Sequence, residues 1–303
     1  MTAELDGQAA AEMPTVTIGG DMSPEMFVDV ATALRGMGVN VRTETSLPPQ
    51  QKGKVIVVLS PKGGSGKTAV TSNLAVALAQ RHPGRVVAVD LDVQFGDLPT
   101  ALSLISERTL AQLSRATSIG IDATTVKLHL TPSEHGLYVL AGASDPADAD
   151  SINHTHVSAV LALLAENFDF VIVDTPAGLD ELTLAALECA TDLLLVSSLD
   201  VASIRSLRKA LDALDHIGIK AGRRLVLNRS DSKVGLNPID AEEAIGMKIS
   251  CSIPSSREIP LSLNLGTQVV LSAPKSPVAK HLQQLAHMYS PTEGDTARKG
   301  RRR

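Results

Sequence analysis

A chain of 303 residues, 44% hydrophobic and 20% charged, carries enough apolar side chain to bury a substantial core in one large domain or two small ones, which excludes a disordered polymer. The formal net charge is −5, yet the closing "RKGRRR" holds five positive charges, leaving about −10 for the body before it. No apolar run approaches the ~18 residues of a membrane span, and two cysteines, Cys189 and Cys251, make neither a disulfide framework nor a C-x-x-C metal site and read as buried, reduced thiols.

The opening "MTAELDGQAA" has neither a basic nor an apolar signal region, so a cytoplasmic protein is expected. "TVTIGG", "SPEMFVDVATALRGMG" and "VNVRTE" read as strand, helix and strand, the helix capped by Ser23 with Pro24 at its first position. "SLPPQQKGK" follows as a linker, which closes an N-terminal fragment of residues 1–50. One βαβ unit buries too little surface to stand alone, so it either packs on the main domain or frays, and the burial argument favours packing.

From residue 52 to 290, short β-branched runs alternate with segments of helical period. Strands are expected at 55–60, 85–92, 137–142, 170–176, 192–198, 224–229 and 268–272 ("QVVLS"). Helices are expected over "AVTSNLAVALAQR", "HVSAVLALLAENF", "VASIRSLRKALDALDHIG" and "PVAKHLQQLAHMY". Strands so uniformly apolar are buried on both faces, which predicts an α/β, doubly wound, mostly parallel sheet flanked by helices, with ligands at the carboxyl ends of the strands.

The first of these strands runs into "SPKGGSGKT", residues 60–68, and then a helix. The order strand, glycine-rich turn, helix is what the phosphate-cradling pattern G-x-x-x-x-G-K-[ST] requires. Gly63, Gly64, Ser65 and Gly66 can turn backbone N–H groups toward phosphate oxygens, with the positive end of the helix behind them. Lys67 should reach the β- and γ-phosphates, and Thr68 offers a hydroxyl to Mg²⁺. Pro61 stands where the first glycine belongs, and Lys62 follows it. A lysine at the loop mouth cannot easily fold back onto phosphates wrapped by its own chain, but it can reach phosphates presented by a second subunit.

This loop resembles that of the MinD/ParA family of deviant Walker A P-loop ATPases, whose signature lysine crosses an ATP-sandwich dimer. The resemblance covers about residues 54–288 and implies an ATP- and Mg²⁺-dependent ATPase that works as a homodimer. It implies that Lys62 and Lys67 act on the phosphates and that Asp92, in "VDLDVQFGD", orients the attacking water. It implies further that Asp90 lies near the Mg²⁺ shell and that Asp174, ending "FVIVD", is the Walker B acid ahead of a switch with Gly178. Asn228 in "LVLNR" matches the adenine-side asparagine, and "SIPSSREIP", with Pro254, matches the loop over the base. Ala69 replaces a second hydroxyl residue and leaves only its backbone N–H toward the α-phosphate.

Within the family, "DTPAGLDELTLAALECATDLLLVSSLDVASIRSLRKAL" and "IPSSREIPLSLNLGTQVVLSAPKSPVAKHLQQLA" are most similar to the branch of the Flp (tad) pilus assembly proteins CpaE and TadZ. That implies a slow ATPase switch that positions a pilus or marks a septal or polar site through a protein partner, in the cytoplasm or peripherally at the membrane. Members often carry a receiver-like N-terminal domain, for which a fragment ending near residue 50 is too short. A DNA-partition ATPase of the ParA type, binding DNA without sequence preference, is the other class. Cluster carriage lacks its cysteines, and "HTH" at His154–His156 opens a helix with no third ligand nearby. The tail 291–303 has no large apolar residue to insert, so it offers only electrostatic attraction to anionic lipid or DNA, or serves as a disordered solubilising segment.

Overall fold

The structure, a computed structural model, describes residues 15–18, 30, 32–34, 36–37, 40–43, 52–116, 121–232 and 236–290. The chain divides into two compact units, residues 1–51 and 52–303. In the first, β1 (Thr15–Ile18) and β2 (Asn40–Thr43) pair in parallel, with helical residues between them. Ser23 and Pro24, most of the linker and the tail 291–303 lie outside the described residues.

The second unit is built on an eight-stranded sheet. In chain order it runs β3 (Lys54–Leu59), α1 (Lys67–Ala79), β4 (Val86–Asp90), α2 (Leu98–Ala101), α3 (Leu110–Ala116), α4 (Ala123–Leu128), β5 (Thr131–Pro132) and β6 (Leu137–Leu140). A 3₁₀ turn (Pro146–Ser151) leads to α5 (His154–Asn167), β7 (Phe170–Asp174), α6 (Glu181–Cys189), β8 (Asp192–Ser198), α7 (Val201–His216) and β9 (Gly222–Asn228). The unit closes with α8 (Pro238–Ile245), β10 (Ile249–Ile253), α9 (Glu258–Leu265), α10 (Val269–Ser272) and α11 (Pro277–Tyr289).

The strand order is β10-β9-β8-β3-β7-β4-β6-β5, parallel throughout except where β5 meets β6. The period-two alternation of each strand splits its side chains between two cores. Val55, Val57, Leu59, Val171, Val173, Leu193 and Leu195 face α5, α6 and α7. Ile56, Val58, Ile172, Leu194 and Val196 face α1, α10 and α11. Because both faces are covered, the strands can be apolar at every position, and truncating a fully buried one such as Leu59 to alanine costs about 2–5 kcal/mol.

The helices follow from the same logic. α7 buries Ile204, Leu207, Leu211 and Leu214 at spacings of three and four and leaves its charged face in water. α1 is different: apart from Thr68 every residue is buried, and its alanines let sheet and helices approach it from all sides. The expected helices at 69–81, 156–168, 201–218 and 277–289 therefore stand, with α1 and α5 beginning two residues earlier.

One expectation is corrected. "QVVLS" is not a strand but the short helix α10, and the sheet edge on that side is β10, paired with β9. Three apolar residues carry no period that separates strand from helical turn. Here tertiary partners decide: Val269 and Val270 are buried among α1 and α11, and Val270 N donates to Asn73 Oδ1 at 3.2 Å. Cys251 on β10 is buried and Cys189, closing α6, is half-buried; both are free thiols.

Candidate functional site

Parallel strands send all their carboxyl ends to one edge of the sheet, so the residues that follow β3, β4, β7, β8, β9 and β10 meet there. The loop after β3 makes the floor. Gly64 and Gly66 have φ of +73° and +95°, a backbone that side chains avoid. Gly66 is doubly constrained, because a Cβ there would overlap the Asn228 amide nitrogen. It is also the N-cap of α1, and no side chain caps that helix, so its first-turn amides are left for an anion. Ser65 beside it is buried with an unpartnered hydroxyl.

Two lysines of this loop sit in opposite surroundings. Lys67 is 9% exposed; burial pulls its pKa down, and the carboxylates of Asp174 and Asp92 pull it back up. Lys62 has a side chain 44% exposed and donates from Nζ to Asp200 Oδ1 at 3.0 Å. Asp200 in turn caps α7, accepting from Ser203 N at 2.9 Å and Ser203 Oγ at 2.6 Å. Burial pushes the Asp200 carboxyl up, but the hydrogen bonds from Ser203 and Lys62 outweigh it and hold it below its usual range.

Two acids stand side by side at the strand ends, Asp90 in register with Asp174. Asp174 is fully enclosed, and that burial lifts its pKa to about 6 against hydrogen bonds from Thr68 and Thr71 and the charge of Lys67. Thr68 Oγ1 donates to Oδ2 at 2.7 Å and Thr71 Oγ1 to Oδ1 at 2.9 Å. Asp90 is pushed well above its usual range by burial and by Asp174. Its Oδ1 accepts from Asp92 N at 3.1 Å and its Oδ2 from Leu98 N at 3.2 Å. The chain from 91 to 97 therefore closes around the Asp90 carboxylate, and a Cβ at Gly96 would overlap both of its oxygens. Asp92 lies on this loop and, with Val93, Gln94, Asp150, Pro176 and Asp180, lines an open cavity of about 470 Å³. Beyond Asp174 the chain touches the phosphate loop again, Gly178 N donating to Ser60 O at 3.3 Å.

On the other side of Gly66, a cavity of about 320 Å³ is lined by Ala69, Asn228, Pro254, Ser256, Ile259 and Leu263. It is mostly apolar and roomy enough for a flat ring. Asn228 Nδ2 donates to Ser65 O at 2.8 Å, and Asn228 Oδ1 accepts from Arg229 N at 3.0 Å, so this side chain also braces the loop. A larger cavity, about 650 Å³, lies at the opposite ends of the strands between the ends of α6 and α7 and gathers no such set of groups. Among the described residues no cluster of His, Cys, Asp and Glu is built to hold a metal alone. The His154–His156 pair is a helix start, as expected: Asn153 and His156 form a capping box, and His154 pairs with Glu181 at 2.6 Å.

The profile of the AAA-domain family matches residues 53–226. The chain belongs to this family, the P-loop ATPases of MinD/ParA type. The septum site-determining protein MinD of Thermotoga maritima is 28% identical over 241 residues, which cover 77% of this chain and 87% of that protein. The crystal structure of a ParA family ATPase from Chlorobium tepidum shares 27% identity at a TM-score of 0.71, covering 77% of this chain and 98% of the other. The MinD protein of Pyrococcus horikoshii complexed with Mg-ADP, 24% identical, has the same fold at a TM-score of 0.70, covering 79% and 96%. Members of the family are ATPases. No helix among the described residues is long and apolar enough to cross a membrane.

Every candidate residue of the sequence reading lies along this one edge: Lys62 to Ala69 on the floor, Asp90, Asp92 and Asp174 on one side, Asn228 and Pro254 on the other. Sequence reasoning missed Thr71 and Asp200. The i, i+3 spacing of Thr68 and Thr71 was a signal for the first. "SLDVAS" marks Asp200 as a helix cap, but nothing local shows that Lys62, 138 residues away, is its partner.

Proposed function

We propose that this protein is an ATP-binding, slowly hydrolysing switch that dimerises face to face around nucleotide and so positions a cellular machine, a Flp/tad pilus or a septal or polar site. The observation that carries the reading is the division between the two loop lysines: Lys67 enclosed within the loop, Lys62 at its mouth and held by a carboxylate at the surface. Lys67 and the loop amides bind the phosphates, and Asn228 and Pro254 hold the base side. The donor set fits Mg-nucleotide: uncapped helix amides, a buried unpartnered serine hydroxyl, and a threonine hydroxyl whose proton is committed to Asp174 while its lone pairs stay free. Thr68 would hold the cation directly, with Asp174 behind it and Asp90 anchoring the neighbouring loop. Magnesium at that place supplies neutralisation of the charge that develops on the transferred phosphoryl group.

Asp92 sits on the loop closed by Asp90, and its carboxylate orients the attacking water. Removing it should give a chain that binds ATP and does not turn it over. Lys62 leaves Asp200 to reach the nucleotide of the facing subunit, and loss of the γ-phosphate returns it. The pilus-assembly assignment draws on the resemblance of the switch and base-loop segments to CpaE and TadZ. Peripheral membrane placement through a protein partner draws on the same resemblance.

An Asp92→Ala chain, loaded with ATP and used as bait, tests the assignment. Enrichment of pilus-assembly components with ATP and not ADP supports it. Strong, salt-sensitive, ATP-dependent binding to random duplex DNA instead identifies a partition ATPase.

A further inference from the structure

Asp174 is gripped at both carboxylate oxygens by a single helix. Thr68 and Thr71 lie three residues apart on α1, on the face that meets the end of β7, and each gives its one hydroxyl proton to a different oxygen. Thr71 is completely buried and Asp174 is 1% exposed. A threonine inside a helix commonly turns its hydroxyl back to a carbonyl of the preceding turn, whereas here it points across to the strand. Packing alone does not call for a hydroxyl, since valine has nearly the same shape and the neighbours Val70, Leu74 and Ala75 are apolar and buried.

The consequence falls on Thr68. A carboxylate turns easily about its last bond, because that torsion is broad and two-fold. One donor at Oδ2 leaves the plane free to pivot; a second donor at Oδ1, from the same rigid helix, fixes it. With Asp174 fixed, the Thr68 proton is committed to it and an oxygen lone pair is left toward the loop interior. With Asp174 free to turn, that proton can rotate into the place where a cation needs a lone pair.

We propose that Thr71 is a positioning residue of the magnesium site, fixing Asp174 so that Asp174 fixes the Thr68 hydroxyl. This rests on the ATPase reading above.

The test follows a fluorescent ADP analogue bound by the full chain, titrated with Mg²⁺, and compares wild type with Thr71→Val and Thr71→Ser. Partners behind a metal ligand are worth about 10- to 100-fold in metal affinity, so Thr71→Val should raise the half-saturating Mg²⁺ concentration by about tenfold. Binding of the analogue in EDTA should stay at the wild-type level, and Thr71→Ser, which keeps the hydroxyl, should restore the wild-type midpoint. Thr71→Ala gives the same reading should the valine variant fail to fold. An unchanged Mg²⁺ midpoint in the valine and alanine variants overturns the proposal. So does an equal loss of binding in EDTA, or a serine variant as impaired as the valine one. A wild-type chain whose nucleotide binding ignores Mg²⁺ overturns the ATPase reading first, and this inference with it.

Discussion

Lys62 and Asp200 meet at 3.0 Å across the mouth of the phosphate loop, and the same aspartate caps α7. Both side chains are partly exposed, and pairs of that kind contribute no more than about 1 kcal/mol. The contact is therefore weak enough to be exchanged for a phosphate. Asparagine caps a helix as well as aspartate but carries no charge. Asp200→Asn should leave the melting temperature within a few degrees of wild type and lower the ATP concentration needed for self-association. Light scattering against ATP reads the second effect, and an unchanged or raised requirement would show that the pair does not restrain Lys62.

Lys67 is buried, with the carboxylates of Asp174 and Asp92 near it. Its replacement by alanine should abolish nucleotide binding, weakening it by about a hundredfold or more, as expected when a charge-assisted contact to phosphate is lost from a buried site. Calorimetry with ATP checks this, and a normal circular dichroism spectrum shows that the fold survives. ATP bound with unchanged affinity would remove Lys67 from the site.

The enclosed carboxylate of Asp174 gives the nucleotide-free protein a pH dependence of definite sign. Its folded pKa, about 6, is above the unfolded value, so between roughly pH 4 and 6 the folded state binds more protons. This group's contribution to stability accordingly falls as pH rises through that window, by on the order of 1.4 kcal/mol per unit of pKa difference. Asp90, shifted the same way, adds to the trend. Asp174→Asn, measured without metal or nucleotide, should melt higher than wild type at pH 7.5, with the difference shrinking toward pH 4. A difference that grows on acidification would contradict the assignment.

The phosphate loop was legible because it is local: strand, turn and helix follow one another over residues 54 to 79, and Gly64 and Gly66 take a positive φ. The buried strands were legible for the same reason, as runs of β-branched residues. What could not be read is what distant segments decide. "QVVLS" became a helical turn because Asn73, nearly 200 residues earlier, takes the Val270 amide. Asp90, expected by resemblance near the cation, stands in register with Asp174, an acid 84 residues on, and its oxygens also hold its own loop at Asp92 and Leu98. The Thr71 hydroxyl finds its partner, Asp174, on β7, 103 residues away.

Deleting residues 291–303 should leave ATP binding and hydrolysis unchanged, since every described residue of the nucleotide edge lies before them. It should weaken any association with anionic vesicles or duplex DNA, and that association should fade as salt rises, because each basic residue near a charged surface contributes only about 1 kcal/mol within a Debye length. Co-sedimentation at low and high salt measures it. Salt-resistant binding to vesicles would place an apolar anchor elsewhere in the chain.

In the proposed switch, ATP joins two copies of this chain through Lys62. Sedimentation velocity of the Asp92→Ala chain with Mg²⁺ and ATP, with ADP, and after the added change Lys62→Ala measures that directly. A dimer is expected with ATP, a monomer with ADP, and a monomer with ATP once Lys62 is removed, although that variant still binds the nucleotide. A dimer that forms without ATP, or one that survives Lys62→Ala, would contradict it.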